Sequence, residues 1–191
     1  MSAASDYQQA VHMLSRPLPA YVTYVQGGHL KMDAIEKSMN ETVTVRTRDG
    51  KTVKGKGLDI MISADHKTTG NILTNSPFDP ACYTAVSAHT LPFDGRDAEA
   101  ITLKDVCSHD KDDGDFQTLY VDPGSRQPLA AVGGNSDQSV VVHIEQRFAR
   151  VSDYVLPSLL EIRVKGSGLM FWLDVDAHIA FTGYTFSNTF P

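Results

Sequence analysis

The clearest pattern in the chain lies in its C-terminal third, where apolar and polar residues alternate with a period of two. Val140, Val142, Ile144 and Phe148 fall on one face, against His143, Glu145 and Arg147 on the other. After a turn near Ser152-Asp153, Tyr154, Leu156, Leu160, Ile162 and Val164 oppose Glu161, Arg163 and Lys165. Past Gly166-Ser167-Gly168, which reads as another turn, Leu169, Phe171, Leu173, Val175, Ala177, Ile179 and Phe181 oppose Asp174, Asp176 and His178. Period two is the mark of strands that bury one face, so this region predicts a meander of three long antiparallel strands. The apolar phase changes across Gly183, from Phe181 to Tyr184 and Phe186, which predicts a bend there.

Upstream, a single helix is predicted near the start. Ser5 or Asp6 can cap it, Tyr7, Ala10, Val11 and Leu14 recur at helical spacing, and Pro17 and Pro19 end it. Tyr21 to Val25 reads as a short strand, ended or bent by Gly27-Gly28. Residues 42–47 and 51–62 read as extended arms around Asp49-Gly50, a pair suited to a type I′ hairpin. Gly55 and Gly57 predict a bulge in the second arm. From about 64 to 98 the chain reads as irregular, with Pro77, Pro80 and Pro92 breaking long elements and a short helix around Ala81 to Ala88. Ile101, Leu103 and Val106 predict a strand. The pattern Leu119-Tyr120-Val121, Asp122-Pro123-Gly124, then Pro128 to Val132 predicts a hairpin, followed by a turn at Gly133-Gly134-Asn135.

One helix cannot cover so large a sheet, so the sheet must bury its own face by curling. Strands of 10 to 14 residues exceed the usual five or six and favour a curled sheet over a small sandwich. The expected fold class is therefore mainly β: an antiparallel, strongly curved, open half-barrel with an N-terminal helix and a long irregular segment. With 191 residues the chain is read as one domain, residues 1–191.

Composition narrows the partners. The formal charge is −6, and Lys and Arg are scattered among Asp and Glu, so no basic patch for nucleic acid is expected. No run approaches the roughly 20 apolar residues of a membrane span. Met1-Ser2-Ala3-Ala4-Ser5-Asp6 carries no basic region followed by an apolar one, and small residues after Met1 also arise when a signal peptide has been removed and a start Met added. Cys82 and Cys107 are either a disulfide closing the segment between them or two unrelated buried thiols; a disulfide is expected if the chain is exported.

The run Leu119-Tyr120-Val121-Asp122-Pro123 through Pro128-Leu129, the strand Val140 to Phe148, Tyr154-Val155-Leu156-Pro157 and a closing strand ending at Phe181 to Phe186 resemble the C-terminal half of the LolA-like superfamily, over residues 116–186. These are periplasmic lipoprotein carriers and relatives in envelope-stress sensing. The resemblance implies an incomplete antiparallel barrel whose helices plug an apolar concave face that holds acyl chains, in the periplasm or after secretion. The sequence departs from that pattern in showing one clear helix where the family uses several.

Three functions follow. The first is non-enzymatic binding of a lipid, an acylated protein or another apolar small molecule on the concave face, with Val142, Ile144, Leu156, Leu160, Ile162, Phe171, Leu173 and Val175 as the ligand-binding residues, no cofactor, and transient membrane contact at most. The second is a structural or interaction domain of the envelope with a packed interior and no ligand. The third is an enzyme with a polar site in 64–115, using His66, His89, His109 and nearby carboxylates.

No catalytic or metal pattern raises the third. Asp110, Asp112, Asp113 and Asp115 around Gly114 lack the spacing of a calcium loop, because the glycine comes too early. His178 with Asp174 and Asp176 reads as the wet side of a strand. Ser87 near His89, and Ser108 beside His109, form no nucleophile elbow and have no orienting acid at a recognisable position.

Overall fold

A computed structural model describes residues 2–33, 35–61, 67–74, 76–107, 116–136, 140–168 and 171–191. His66, His109 and the run Asp110 to Asp115 lie outside the described residues. Phe171 and Leu173 are placed by their strand alone.

The chain opens with helix α1 (Ala3–Leu14) and continues almost entirely in strands: β1 (Tyr21–Met32), β2 (Ile35–Arg46), β3 (Lys51–Lys54), β4 (Leu58–Met61), β5 (Lys67–Gly70), β6 (Tyr83–Phe93), β7 (Arg96–Asp105), β8 (Phe116–Val121), β9 (Pro128–Ser136), β10 (Val140–Val151), β11 (Tyr154–Gly168) and β12 (Phe171–Ser187). Ten of them form one antiparallel sheet in the order β3-β2-β1-β12-β11-β10-β9-β8-β7-β6, while β4 and β5 form a separate hairpin. The end strands β3 and β6 do not pair with each other, so the sheet is open. This is the mainly β, curved, incomplete barrel expected from the strand lengths.

The buried face of the sheet carries a continuous apolar cluster that includes Tyr24, Val43, Ile101, Leu119, Ile144, Leu160, Ile162, Ala177, Ile179 and Phe181. Across neighbouring strands these residues stand in register: Ile144 opposite Ile162, Ile162 opposite Ala177, Leu160 opposite Ile179. Tyr7 and Ala10 of α1, and Ile72 and Phe78 from residues 71–80, close over this face and join the same cluster.

Several local expectations are corrected. The helix cap is Ser2, whose hydroxyl accepts from the Ser5 N–H at 3.3 Å, while Asp6 is turned inward and buried. Gly27-Gly28 does not end β1, because Gly28 (φ +155°) lets the backbone approach β12, where a Cβ would stand 1.9 Å from the His178 carbonyl. The hairpin at Asp49-Gly50 is real, but its loop is longer than a type I′ turn: only Gly50 has positive φ, and Arg46 grips the Asp49 carboxylate at 2.7 Å, which holds that acid down at about 2. Gly133-Gly134-Asn135 is strand, paired with β10 from Gly133 onward, and Gly166 to Gly168 likewise continue β11. The helix expected at 81–88 is a single 3₁₀ turn, Pro80–Cys82, leading into edge strand β6. The bend at Gly183 is present, with φ +62° and a register shift opposite Tyr24.

Cys82 and Cys107 form a disulfide with Cα atoms 4.9 Å apart. It fastens the start of β6 to the end of β7, where the Val106 N–H also donates to the Cys82 carbonyl at 2.9 Å. The bond closes a loop of 25 residues. A Cys82→Ser/Cys107→Ser variant is expected to lose about 3 kcal/mol by loop entropy, measured by chemical denaturation. Wild-type protein in reductant should fall to the same level, and equal stability of all three samples would contradict it.

Candidate functional site

The concave face is closed in its middle and hollow at one end. Residues 71–74 and 76–80 lie across it as a strap fixed at both ends by buried amides. Asn71, fully buried, donates from Nδ2 to the Gly50 carbonyl at 2.7 Å, and its Oδ1 accepts from the Leu73 and Thr74 N–H groups at 3.1 and 3.2 Å. Gln146 of β10, also fully buried, accepts from the Phe78 N–H at 3.3 Å and exchanges hydrogen bonds with the Ser76 hydroxyl at 2.7 and 2.9 Å. A buried amide so satisfied is stabilising; left unpaired it would be costly. Between these anchors, Phe78 inserts among Tyr83, Phe116 and Phe148 with ring centroids 5.2 to 6.2 Å away.

Beside the strap lies a cavity of about 330 Å³ lined by Leu14, Leu18, Ile72, Leu73, Thr74, Ser76, Phe78, Asp79, Pro80, Gln146, Phe148, Val155, Leu156 and Pro157. That volume is at the low end for ligand pockets. Its roof is the end of α1 and the segment after it, its wall is the strap, and its floor is the paired ends of β10 and β11. The floor owes its shape to a bulge: Arg147 faces Leu159 but Phe148 faces Pro157, so Ser158 is extra. The phase of β11 therefore flips there, and Val155 rather than Leu156 joins the core cluster, although Leu156 is also buried.

Three contacts hold the roof. Asp6 in the first turn of α1 is 1% exposed and lies 2.9 Å from Arg126 Nε, and Arg126 Nη1 reaches Glu99 Oε2 at 2.5 Å. Tyr7 donates its hydroxyl to the Pro80 carbonyl at 2.7 Å, tying helix to strap. Burial pushes that phenol well above its ordinary range, with the nearby Tyr83 and Asp79 adding to it. At the far end Arg16 donates to the Asp153 carbonyl at 2.9 Å and lies over the Tyr154 ring.

The residues expected to bind a ligand are placed as follows. Ile144, Leu160 and Ile162 are packed into the core, Val142 and Val175 are half-buried against it, and Leu156 lines the cavity. Phe171 and Leu173 stand on β12 opposite Gly168 and Gly166. The expectation missed the cavity's other walls, Leu14, Leu18 and the strap. Leu14, in helical phase with Tyr7, Ala10 and Val11, was a visible signal; Leu18, between two prolines beyond the helix, gave none, nor did Ser76 and Phe78, which meet Gln146 across 68 to 70 residues.

Among the described residues the polar groupings do not converge. His89 is exposed on edge strand β6. His178 donates or accepts at 2.8 Å with Glu161 and stacks on His29, its partner across β1, on the outer side of the sheet from Ile179 and Ala177. Among the described residues no three His, Cys, Asp or Glu side chains are arranged to hold a metal ion. The cavity's polar side chains are Thr74, Ser76, Asp79 and Gln146; the Thr74 hydroxyl donates to Asn71 Oδ1 at 3.3 Å, and the other three are hydrogen-bonded to strap or turn backbone. What the site can do is remove apolar surface from water.

No protein-family profile matches the chain, and no curated protein matches it. Solved structures do. A putative outer membrane lipoprotein-sorting protein domain from Vibrio parahaemolyticus superposes with a TM-score of 0.58 at 11% identity, over 99% of this chain and 95% of that one. A DUF1329 family protein from Desulfovibrio piger gives 0.57 at 9% identity, over 100% and 96%. A LolA superfamily protein from Nitrosomonas europaea gives 0.50 at 12% identity, over 100% and 96%. The fold is LolA-like across the whole chain.

Proposed function

We propose that this LolA-like fold is a non-enzymatic holder of an apolar ligand, a lipid or the acyl chain of a lipoprotein, working in the periplasm or outside the cell. The observation that carries the reading is the cavity under α1, walled by Leu14, Leu18, Leu73, Phe148, Val155 and Leu156. Each Å² of apolar surface moved there from water is worth about 25 cal/mol. Ile144, Leu160 and Ile162 serve as the packed floor, with Val142 and Val175 half-buried against it, and Phe171 and Leu173 precede Val175 on the same strand. Support for the setting comes from the disulfide, which suits an oxidising compartment, and from the lipoprotein-sorting name of one structural neighbour. Among the described residues no helix is long and apolar enough to cross a membrane.

Purified protein should enhance the fluorescence of N-phenyl-1-naphthylamine, and native mass spectrometry should find a co-purifying lipid. Leu73→Trp, which fills the cavity from the strap, and Leu14→Asp, which puts a charge in its roof, should each weaken the probe by about tenfold or more, about 1.4 kcal/mol. Absence of both probe binding and bound lipid, in protein whose thermal unfolding is cooperative, would favour the packed structural domain instead.

A further inference from the structure

The apolar cavity has a cationic neighbour. A second hollow of about 380 Å³ is lined by His12, Met13, Arg16, Arg150, Asp153 and Val155. Val155 belongs to both, so the two spaces meet across one side chain. The chain at the end of α1 supplies both: Leu14, the last residue of the helix, and Leu18 beyond it line the apolar space, while His12 in the last turn and Arg16, just past the Ser15 cap, line the cationic one.

The local charge runs against the whole chain. The protein carries −6, yet here two guanidiniums and an imidazole surround one carboxylate. That carboxylate is a weak counterweight: Asp153 is 71% exposed and its Oδ2 stands 4.0 Å from Arg16. Arg150 donates its Nε–H to the Ser152 carbonyl at 3.3 Å, and among the described residues no carboxylate pairs with it. A basic residue at the end of α1 is also favoured by the helix dipole, which accounts for His12 and Arg16. It does not account for Arg150, which comes from β10.

We infer that the ligand is a single-chain amphiphile with an anionic head: the chain lies in the cavity under α1, and a carboxylate or phosphate head sits against Arg16 and Arg150. This rests on the apolar-ligand reading and adds the head group to it. Guanidiniums suit both heads, since their paired N–H groups match two oxygens of a carboxylate or a phosphate. The cavity's small volume suits one chain rather than two.

The test uses dodecanoate, dodecyl phosphate and dodecanol, each displacing N-phenyl-1-naphthylamine from the full chain at low ionic strength. Chain length is constant, so differences report the head. The anionic compounds should bind at least about fivefold more tightly than the alcohol, an advantage lost in 0.5 M salt where exposed charge pairs are screened. In Arg150→Gln, which spares the Arg16 contacts that hold the roof, about half of the advantage should be lost while dodecanol binds as before. Dodecanol also serves as the folding control, since a misfolded variant would lose it too. Preference for the phosphate over the carboxylate would identify a phospholipid-type head, and the reverse a fatty acid. Equal binding of all three compounds by the wild type, or an anionic preference unchanged in Arg150→Gln, overturns this inference and leaves the apolar reading standing. Failure of all three to bind overturns the apolar reading itself.

Discussion

Arg126→Met is expected to destabilise the protein by about 3–5 kcal/mol, the usual cost of removing one partner from a buried ionic group. For a chain of this size that corresponds to a fall in Tm of roughly 10 °C. Arg126 is 13% exposed and lies between Asp6, 1% exposed, and Glu99, 18% exposed. Without it two carboxylates would face each other under the first turn of α1. The chain already accepts backbone strain to place this side chain. Arg126 has φ +60° in the turn after β8, held there by its N–H bond to the Asp122 carbonyl at 2.9 Å, and such a conformation costs about 1 kcal/mol or more. Burial raises the Glu99 carboxyl, and the charge of Asp6 raises it further, against the opposing pull of Arg126. A carboxyl whose folded value is raised keeps its proton longer in the native state. Its stability contribution is therefore complete below the ordinary glutamate value of about 4.3 and is lost as pH rises through the folded value. Arg126→Met should extend that loss to higher pH, and Glu99→Gln should flatten it. Thermal unfolding from pH 4 to 8 separates these cases. A methionine variant within 1 kcal/mol of wild type at pH 7 would mean that Arg126 is not what neutralises the pair.

The meander β10 to β12 was legible because each strand buries one face and wets the other, so its phase is written residue by residue. The same physics explains what was not. Strand β6 is an edge strand whose inward positions include Ala85 and Ala88; small residues give little contrast between faces, and alanines spaced by three or four imitate a helix. Pro92 counted against a strand, yet it is tolerated on an edge, where its missing N–H has no partner to lose. Gly28 and Gly134 looked like turns because glycine is common there. In both cases the reason is the opposite: a Cβ would stand about 2 Å from a carbonyl of the adjacent strand, so glycine keeps the sheet continuous. Half of the candidate site was readable, since Leu156 and the β10–β11 pairing follow from alternation. The phase flip at Ser158 was not, because a bulge leaves Leu156 and Leu160 with the same parity in sequence while turning them differently in the sheet. The strap was hidden for another reason: its anchors Asn71 and Gln146 are polar residues in the core, and no local pattern announces a polar residue that is buried because distant backbone satisfies it.

The strap also supplies the substitution that best separates a ligand holder from a packed domain. Phe78→Ala should cost about 3–5 kcal/mol, as removal of a buried aromatic ring usually does. The ring is 2% exposed and packs edge-on or stacked against Tyr83, Phe116 and Phe148. It is also part of the cavity wall, so its removal enlarges a space already present. If that space holds a chain, the larger one should bind dodecanol at least as well as the wild type. At a hundredfold excess over Kd the alcohol should return about 2.7 kcal/mol to each, because a ligand that binds only the native state stabilises it by mass action. Most of the defect would then be recovered by ligand. In a packed domain the same substitution would be equally destabilising, but nothing would refill the hole, and the alcohol would leave the Tm of both proteins unchanged. Scanning calorimetry with and without dodecanol reads both quantities at once. The decisive result is whether dodecanol raises the Tm of the two proteins at all, since the loss of stability alone is common to both readings.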